Sequence, residues 1–205
     1  MKSVKSDTEM IKDDENVRFV IGEMNKYSEM VMKMIIWEYS QEAPITKAIG
    51  ASPEEIRDMR LDACKESVNS PLSILAFLGD KCIGWVLNYI KTNIKKCDED
   101  PNLSFNNDFT ERIAENKYGN LKANRIGAIS DEITKNFTYF IPKCKKLFVL
   151  HIIFVQPAFG GNGIATKLTE KSIELARKNQ CDYIMSVPSN IKSAHIFKKV
   201  QNFVI

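Results

Sequence analysis

Three glycines in four residues, Gly160-Gly161-Asn162-Gly163, stand between an apolar run and an amphipathic one. Leu147 to Val155 is almost continuously apolar and rich in Val, Ile and Phe. That suits a strand covered on both faces, and it is too short to cross a membrane. Pro157, which has no N–H, ends the ladder. From Ile164 the apolar residues recur at Leu168, Ile173, Leu175 and Ala176, close to helical spacing. The turn therefore opens into a helix N-terminus, where the first N–H groups lack partners and the helix dipole is positive. Glycines let the backbone approach a bulky anion without Cβ atoms in the way. The ligand this arrangement predicts is a phosphate or pyrophosphate. The alternative is a plain strand-to-helix turn, which also uses glycine.

A Walker-type loop needs Lys and Ser/Thr after its last glycine, and Gly163 is followed by Ile164. A dinucleotide fingerprint needs a third glycine where Thr166 stands and an acidic residue at the end of the next strand. Asp182 lies instead at the start of the next apolar run. The step Val155-Gln156-Pro157, the loop and the helix resemble motif A of the GCN5-related N-acetyltransferases, the GNAT superfamily. In that motif a Val-x-Pro-like step precedes Arg/Gln-x-x-Gly-x-Gly/Ala. Gly163 and Ala165 match the last two positions, and Gly160 stands where Arg or Gln is usual. The resemblance implies acetyl-CoA as co-substrate, and no metal. Its pyrophosphate would lie against the backbone of Gly160, Gly161, Asn162, Gly163, Ile164, Ala165 and Thr166. Its thioester would face unpaired N–H groups of Ile153, Phe154 and Val155 where two strands splay.

Further patches resemble the arylalkylamine N-acetyltransferases of insects and nematodes: Cys82 to Asn88, Gly163 to Glu170, Ser189 to His195 and Glu42-Ala43-Pro44-Ile45. They imply acetyl transfer to a small primary amine of the arylalkylamine kind. The amine must lose a proton before it attacks the thioester, and a carboxylate acting through water can take it. By resemblance that base is the Glu just before the Pro. Here Ala43 holds that place, so Glu42, one residue earlier, is the candidate, with Glu38 in reserve. Both also read as exposed helix-end carboxylates. Ser189 and Ser193 match two serines that the resemblance implies handle protons of the amine and the leaving thiolate; Ser189 equally reads as a helix cap. Phe197 stands where other GNAT chains have a Tyr acid. His151 reads as a core histidine and His195 as a surface one. The displaced carboxylate and Phe197 support an alternative: a GNAT-fold CoA-binding protein with weakened or lost catalysis.

The elements that must position these groups follow in order. Val17 to Met24 alternates as a strand, and Tyr27 to Tyr39 reads as an amphipathic helix broken by Pro44. Ser52-Pro53-Glu54-Glu55 starts a second helix running to about Ser67. Leu72 to Leu78 and Cys82 to Ile90 form a hairpin about Gly79-Asp80-Lys81. A polar insertion spans 91–140, with its second part helical. Cys181 to Val187 is a strand and Lys192 to Val200 a short helix. The expected class is α/β, a mixed sheet flanked by helices on the GNAT plan, lacking that fold's last two strands. Residues 1–16 read as a flexible tail and 17–205 as one domain. The absent strands would leave Tyr183 to Val187 with an unpaired edge, so the chain is expected as a monomer or a weak dimer through it.

The 205 residues suffice for a core, at 44% hydrophobic and 27% charged. A net charge of +3 gives no argument for nucleic acid and mildly favours an anionic ligand. No apolar run approaches a membrane span, and no signal peptide is visible. Five scattered cysteines without CxxC spacing read as reduced thiols of a cytoplasmic protein.

Overall fold

In a computed structural model, residues 17–94, 108–115 and 118–200 are described. The expected tail, part of the polar insertion and residues 201–205 lie outside them. Strand β1 (Val17–Ile21) leads into α1 (Met24–Met34), which buries Met24, Val31 and Met34. The helix then widens into a π turn, Ile35–Tyr39, before a last short stretch, α2 (Ser40–Glu42). Ser40 Oγ donates to the Ile35 carbonyl (2.9 Å) across that turn. Ala43 is extended (ψ 124°), as the residue before a proline prefers, and Pro44 opens α3 (Pro44–Ile49). Gly50 closes α3 in the left-handed region (φ 66°).

The expected cap at Ser52 forms: Glu55 N–H donates to Ser52 Oγ and Ser52 N–H to Glu55 Oε2. The regular helix α4 starts later than expected, at Arg57, and runs to Val68. The intervening turn places Ile56 at φ −113° and buries it completely. Strands β2 (Ile74–Leu78) and β3 (Lys81–Thr92) form the expected hairpin, with Gly79 left-handed at the turn (φ 58°). Helices α5 (Thr110–Glu115), α6 (Leu121–Thr134) and α7 (Phe137–Phe140) follow. Then come β4 (Lys146–Val155), a 3-10 turn (Pro157–Phe159), α8 (Ile164–Lys178), β5 (Tyr183–Met185) and α9 (Ile191–Lys199). The β5 strand is shorter than the apolar run had suggested.

The strands form one sheet in the order β1-β2-β3-β4-β5. All neighbours are antiparallel except β4 and β5. Its mixed character and flanking helices match the expected class. One face packs Leu75, Phe77, Trp85, Leu87, Ile152 and Phe154 against residues of α1, the π turn and α4 such as Val31, Ile35 and Cys64. The other packs Ile74, Val86 and Leu150 against Ile164 and Leu168 of α8 and Phe197 of α9. Buried Asn88 ties the layers together: its Nδ2 donates to Leu72 O and to Ser172 Oγ of α8. Thus α8, whose start carries the glycine turn, is pinned to β3.

The β3–β4 register steps from Leu87–Ile152 to Asn88–Leu150, which makes His151 an extra residue on β4. This bulge bends the strand. It also turns His151 towards α4, where its Nδ1 lies 2.9 Å from Ser67 Oγ. Nearer the end of the ladder, a Cβ on Gly84 would sit 3.0 Å from the Phe154 carbonyl oxygen. The replacement Gly84→Ala is therefore expected to lower stability by about 1–3 kcal/mol, read as a fall in urea midpoint.

Burial, then the Arg60 charge, push the His151 ring down from 6.5 to about 4. Between those values the unfolded chain takes up a proton that the folded chain refuses. Stability should be intact above 6.5 and fall as pH drops towards 4, by about 3 kcal/mol for a shift of that size. Urea midpoints measured across this range should show a steeper acid loss than those of a His151→Gln variant; equal slopes would contradict the burial.

Candidate active site

β4 is bonded along its length on one side only. Against β3 it is paired from Lys146 to Val155, whereas against β5 only Leu147, Phe148 and Val149 find partners. Ser186 Oγ donates to Leu150 O (2.9 Å), and β5 ends just before, at Met185. Among the described residues, β4 has an open outer edge from His151 onwards. Gln156 N–H donates to Ile83 O (2.9 Å). Bonded and non-bonded residues alternate in an antiparallel ladder. Phe154 therefore turns its N–H towards β3, and the N–H groups of Ile153 and Val155 face the opening. Two of the three expected amides point there.

The opening leads along the chain to the glycine turn. Gly160 N–H closes the 3-10 turn on Pro157 O (3.1 Å). Gly161 (φ 82°) and Gly163 (φ 73°) occupy the left-handed region that glycine enters at no steric cost. Asn162 Nδ2 donates to Phe159 O and Gly160 O, which holds the turn's shape. Gly163 is the N-cap of α8 and has no side chain to cap with, and the first turn holds no acidic residue. The N–H groups of Ile164, Ala165 and Thr166 are thus left for an outside anion.

Above the opening, on the α1–α4 side, stands a second set of groups. Glu38, half-buried in the π turn, accepts from Gln156 Nε2 (2.9 Å) just past the end of β4. Glu42 is exposed and pairs with Lys47 Nζ (2.7 Å). Tyr39 meets Trp85 and Phe154 edge-on, with ring centroids 5.9 and 6.0 Å apart. The Arg60 guanidinium covers the Tyr39 ring at 5.1 Å. Arg60 is only 7% exposed, donates from Nη2 to Thr46 Oγ1 (3.1 Å), and leaves its Nε without a partner. Ala43, at the position before the proline, is buried.

Past β5, Ser189 is exposed, and it is Asn190, not Ser189, that caps α9 by accepting from Lys192 N–H (2.9 Å). Ser193 Oγ donates to Asn190 O (2.8 Å). Phe197 is buried in the core, and His195 is exposed. Sequence reasoning passed over Arg60 and Gln156. The signal for Arg60 was available: with Ile56, Met59, Cys64 and Ser67 it falls on the inward stripe of α4, where a charge is out of place.

Among the described residues no helix is long and apolar enough to cross a membrane. Solved structures share this architecture. Arylalkylamine N-acetyltransferase 2 from Aedes aegypti superposes with a TM-score of 0.70 at 21% identity, covering 91% of this chain and 82% of that one. The mosquito arylalkylamine N-acetyltransferase like 5b gives 0.65 at 16%, covering 90% and 82%. The Drosophila melanogaster polyamine N-acetyltransferase gives 0.58 at 14%, covering 90% and 81%. At such identities the likeness is one of fold. No curated protein matches the chain. The model of the Acetyltransferase (GNAT) family matches residues 32–203. The splayed strands, the glycine turn and this match over most of the chain agree: it belongs to the acetyltransferase (GNAT) family and is by class an N-acetyltransferase.

Proposed function

We propose that this chain transfers the acetyl group of acetyl-CoA to a small primary amine, of the kind for which its arylalkylamine and polyamine relatives in fold are named. The observation that carries the reading is the continuous path from the open edge of β4 to the uncapped start of α8. The fit to acetyl-CoA is chemical. A pyrophosphate suits free N–H groups reached through two left-handed glycines, and an elongated amide-bearing arm suits the N–H groups of Ile153 and Val155. A donor on the reacting carbonyl oxygen is typically worth on the order of 10²–10³ in rate. The amine nitrogen gives up a proton and bonds to the thioester carbon; the carbon–sulfur bond breaks, and the leaving thiolate takes up a proton.

Glu38 is the better candidate for the base. It is half-buried and held against the end of β4 by Gln156, whereas Glu42 is exposed and occupied by Lys47. Glu38 would act through water. Ser189, exposed where the chain leaves β5, could return a proton to the thiolate; Ser193 already spends its proton on Asn190. Buried Ala43 and Phe197, where the family resemblance calls for Glu and Tyr, favour a second reading, a CoA-binding protein of weak or no catalysis. We place the protein in the cytoplasm, as a monomer or a weak dimer through the outer edge of β5.

Calorimetric titration with acetyl-CoA, followed by tryptamine or dopamine in the same cell, separates these readings. The expected result is micromolar binding of acetyl-CoA and heat from amine turnover. Gly163→Val should lose acetyl-CoA binding. Glu38→Gln should keep it while turnover falls by on the order of 10²–10⁴, and Glu42→Gln should change turnover little. Binding without turnover would select the second reading. No binding by the folded chain would remove both.

A further inference from the structure

The guanidinium of Arg60 is buried without a counter-charge. Among the described residues no carboxylate forms an ion pair with it, and its polar contacts are one hydroxyl and one aromatic face. Nε has no acceptor among the described residues. The groups whose titration its charge influences are neutral at physiological pH: the Cys64 thiol is pushed up to about 12 by burial, and His151 is held down to about 4. Arginine cannot shed its proton to escape such a site, so an unpaired buried guanidinium is costly unless an anion joins it. Its position is specific. It stacks on Tyr39, which touches Phe154, and Phe154 lies between the two residues of β4 whose N–H groups face the opening. Thr46 of α3 accepts from it, and its charge reaches His151 at the bulge. The planar fork of an arginine fits a carboxylate with two parallel N–H bonds, and Nε is one of the donors that can make them.

We propose that Arg60 is the anchor for an anionic group on the acceptor, so that the amine acetylated by this chain carries a carboxylate. This rests on the acetyl-transfer reading above and narrows its substrate class to amino acids and related amino carboxylates. Arg60 takes no part in proton transfer; it selects and orients.

Matched acceptors test this, each an amine with and without the carboxylate: tryptophan against tryptamine, and 4-aminobutanoate against butylamine. Turnover is read as release of CoA thiol. Wild type should favour the carboxylate member in kcat/KM by about tenfold or more, the size of one charge-assisted contact. Arg60→Met should abolish the preference through KM, with acetyl-CoA affinity unchanged, and Arg60→Lys should keep part of it. A wild-type preference for the uncharged member, or a preference unchanged in Arg60→Met, would overturn the proposal. If no amine turns over, the activity reading has failed, and calorimetry on the CoA complex still decides this one. N-acetyltryptophan should then bind about tenfold tighter than N-acetyltryptamine in wild type, and no carboxylate advantage would overturn the proposal. If Arg60→Met does not fold, loss of part of the advantage in Arg60→Lys supports it and full retention overturns it.

Discussion

Everything at the candidate site depends on the unequal pairing of β4. One edge is bonded to β3 from Lys146 to Val155, while the other is bonded to β5 for three residues and then left open. A half-paired strand normally invites intrusion by water or another chain. Here the strand is held rigid from both faces. Leu147, Phe148 and Leu150 are buried almost completely; Leu150 packs against α8 and α9, and Ile152 and Phe154 pack on the other face under α1 and α4. Each fully buried side chain of that size contributes roughly 1.5–3 kcal/mol. The β3 ladder and this burial keep the open N–H groups in place, and the bulge at His151 bends the strand where β5 departs. The fold therefore supplies preorganised donors at no cost at the moment of reaction.

The glycine turn extends the same logic. Its left-handed residues bring the chain from the end of β4 to the start of α8 with no side chain in the way, and Asn88 fixes α8 to the sheet. A helix start that caps itself would have consumed the N–H groups; Gly163 leaves them available. The electrostatics above the opening point the same way. Buried Cys64 and His151 stay neutral, Glu38 keeps its carboxylate near the end of β4, and Arg60 brings a cation that its neighbours do not answer.

Much of this was legible in the sequence, for physical reasons that differ by element. The glycine turn, the β4 strand and α8 were, because a run of apolar residues, a proline and clustered glycines have few other uses. The hairpin at Gly79 was, because its turn demands a left-handed residue. The place of Glu38 in a π turn was not legible. Such a turn holds more residues than an α turn, so faces read at 3.6-residue spacing slip past it, and spacing does not reveal the Ser40–Ile35 bond that spans it. The Ser52 cap was legible, but the start of α4 was not, because tertiary burial of Ile56 reshapes the turn between them. The alternation that removes Phe154 from the open edge depends on strand register, which only the pairing with β3 fixes. The inward place of Arg60 on α4 was legible, but its neutral partners, Thr46 and Tyr39, were not, because they come from other elements.

The most direct test of the account is residue-resolved amide hydrogen exchange by NMR, with and without CoA. The N–H groups of Ile153, Val155, Ala165 and Thr166 should slow markedly on binding. Phe154, already bonded to β3, should change little. CoA binding that leaves all four amides exchanging as before would contradict the claim that the open edge of β4 and the uncapped start of α8 hold the co-substrate.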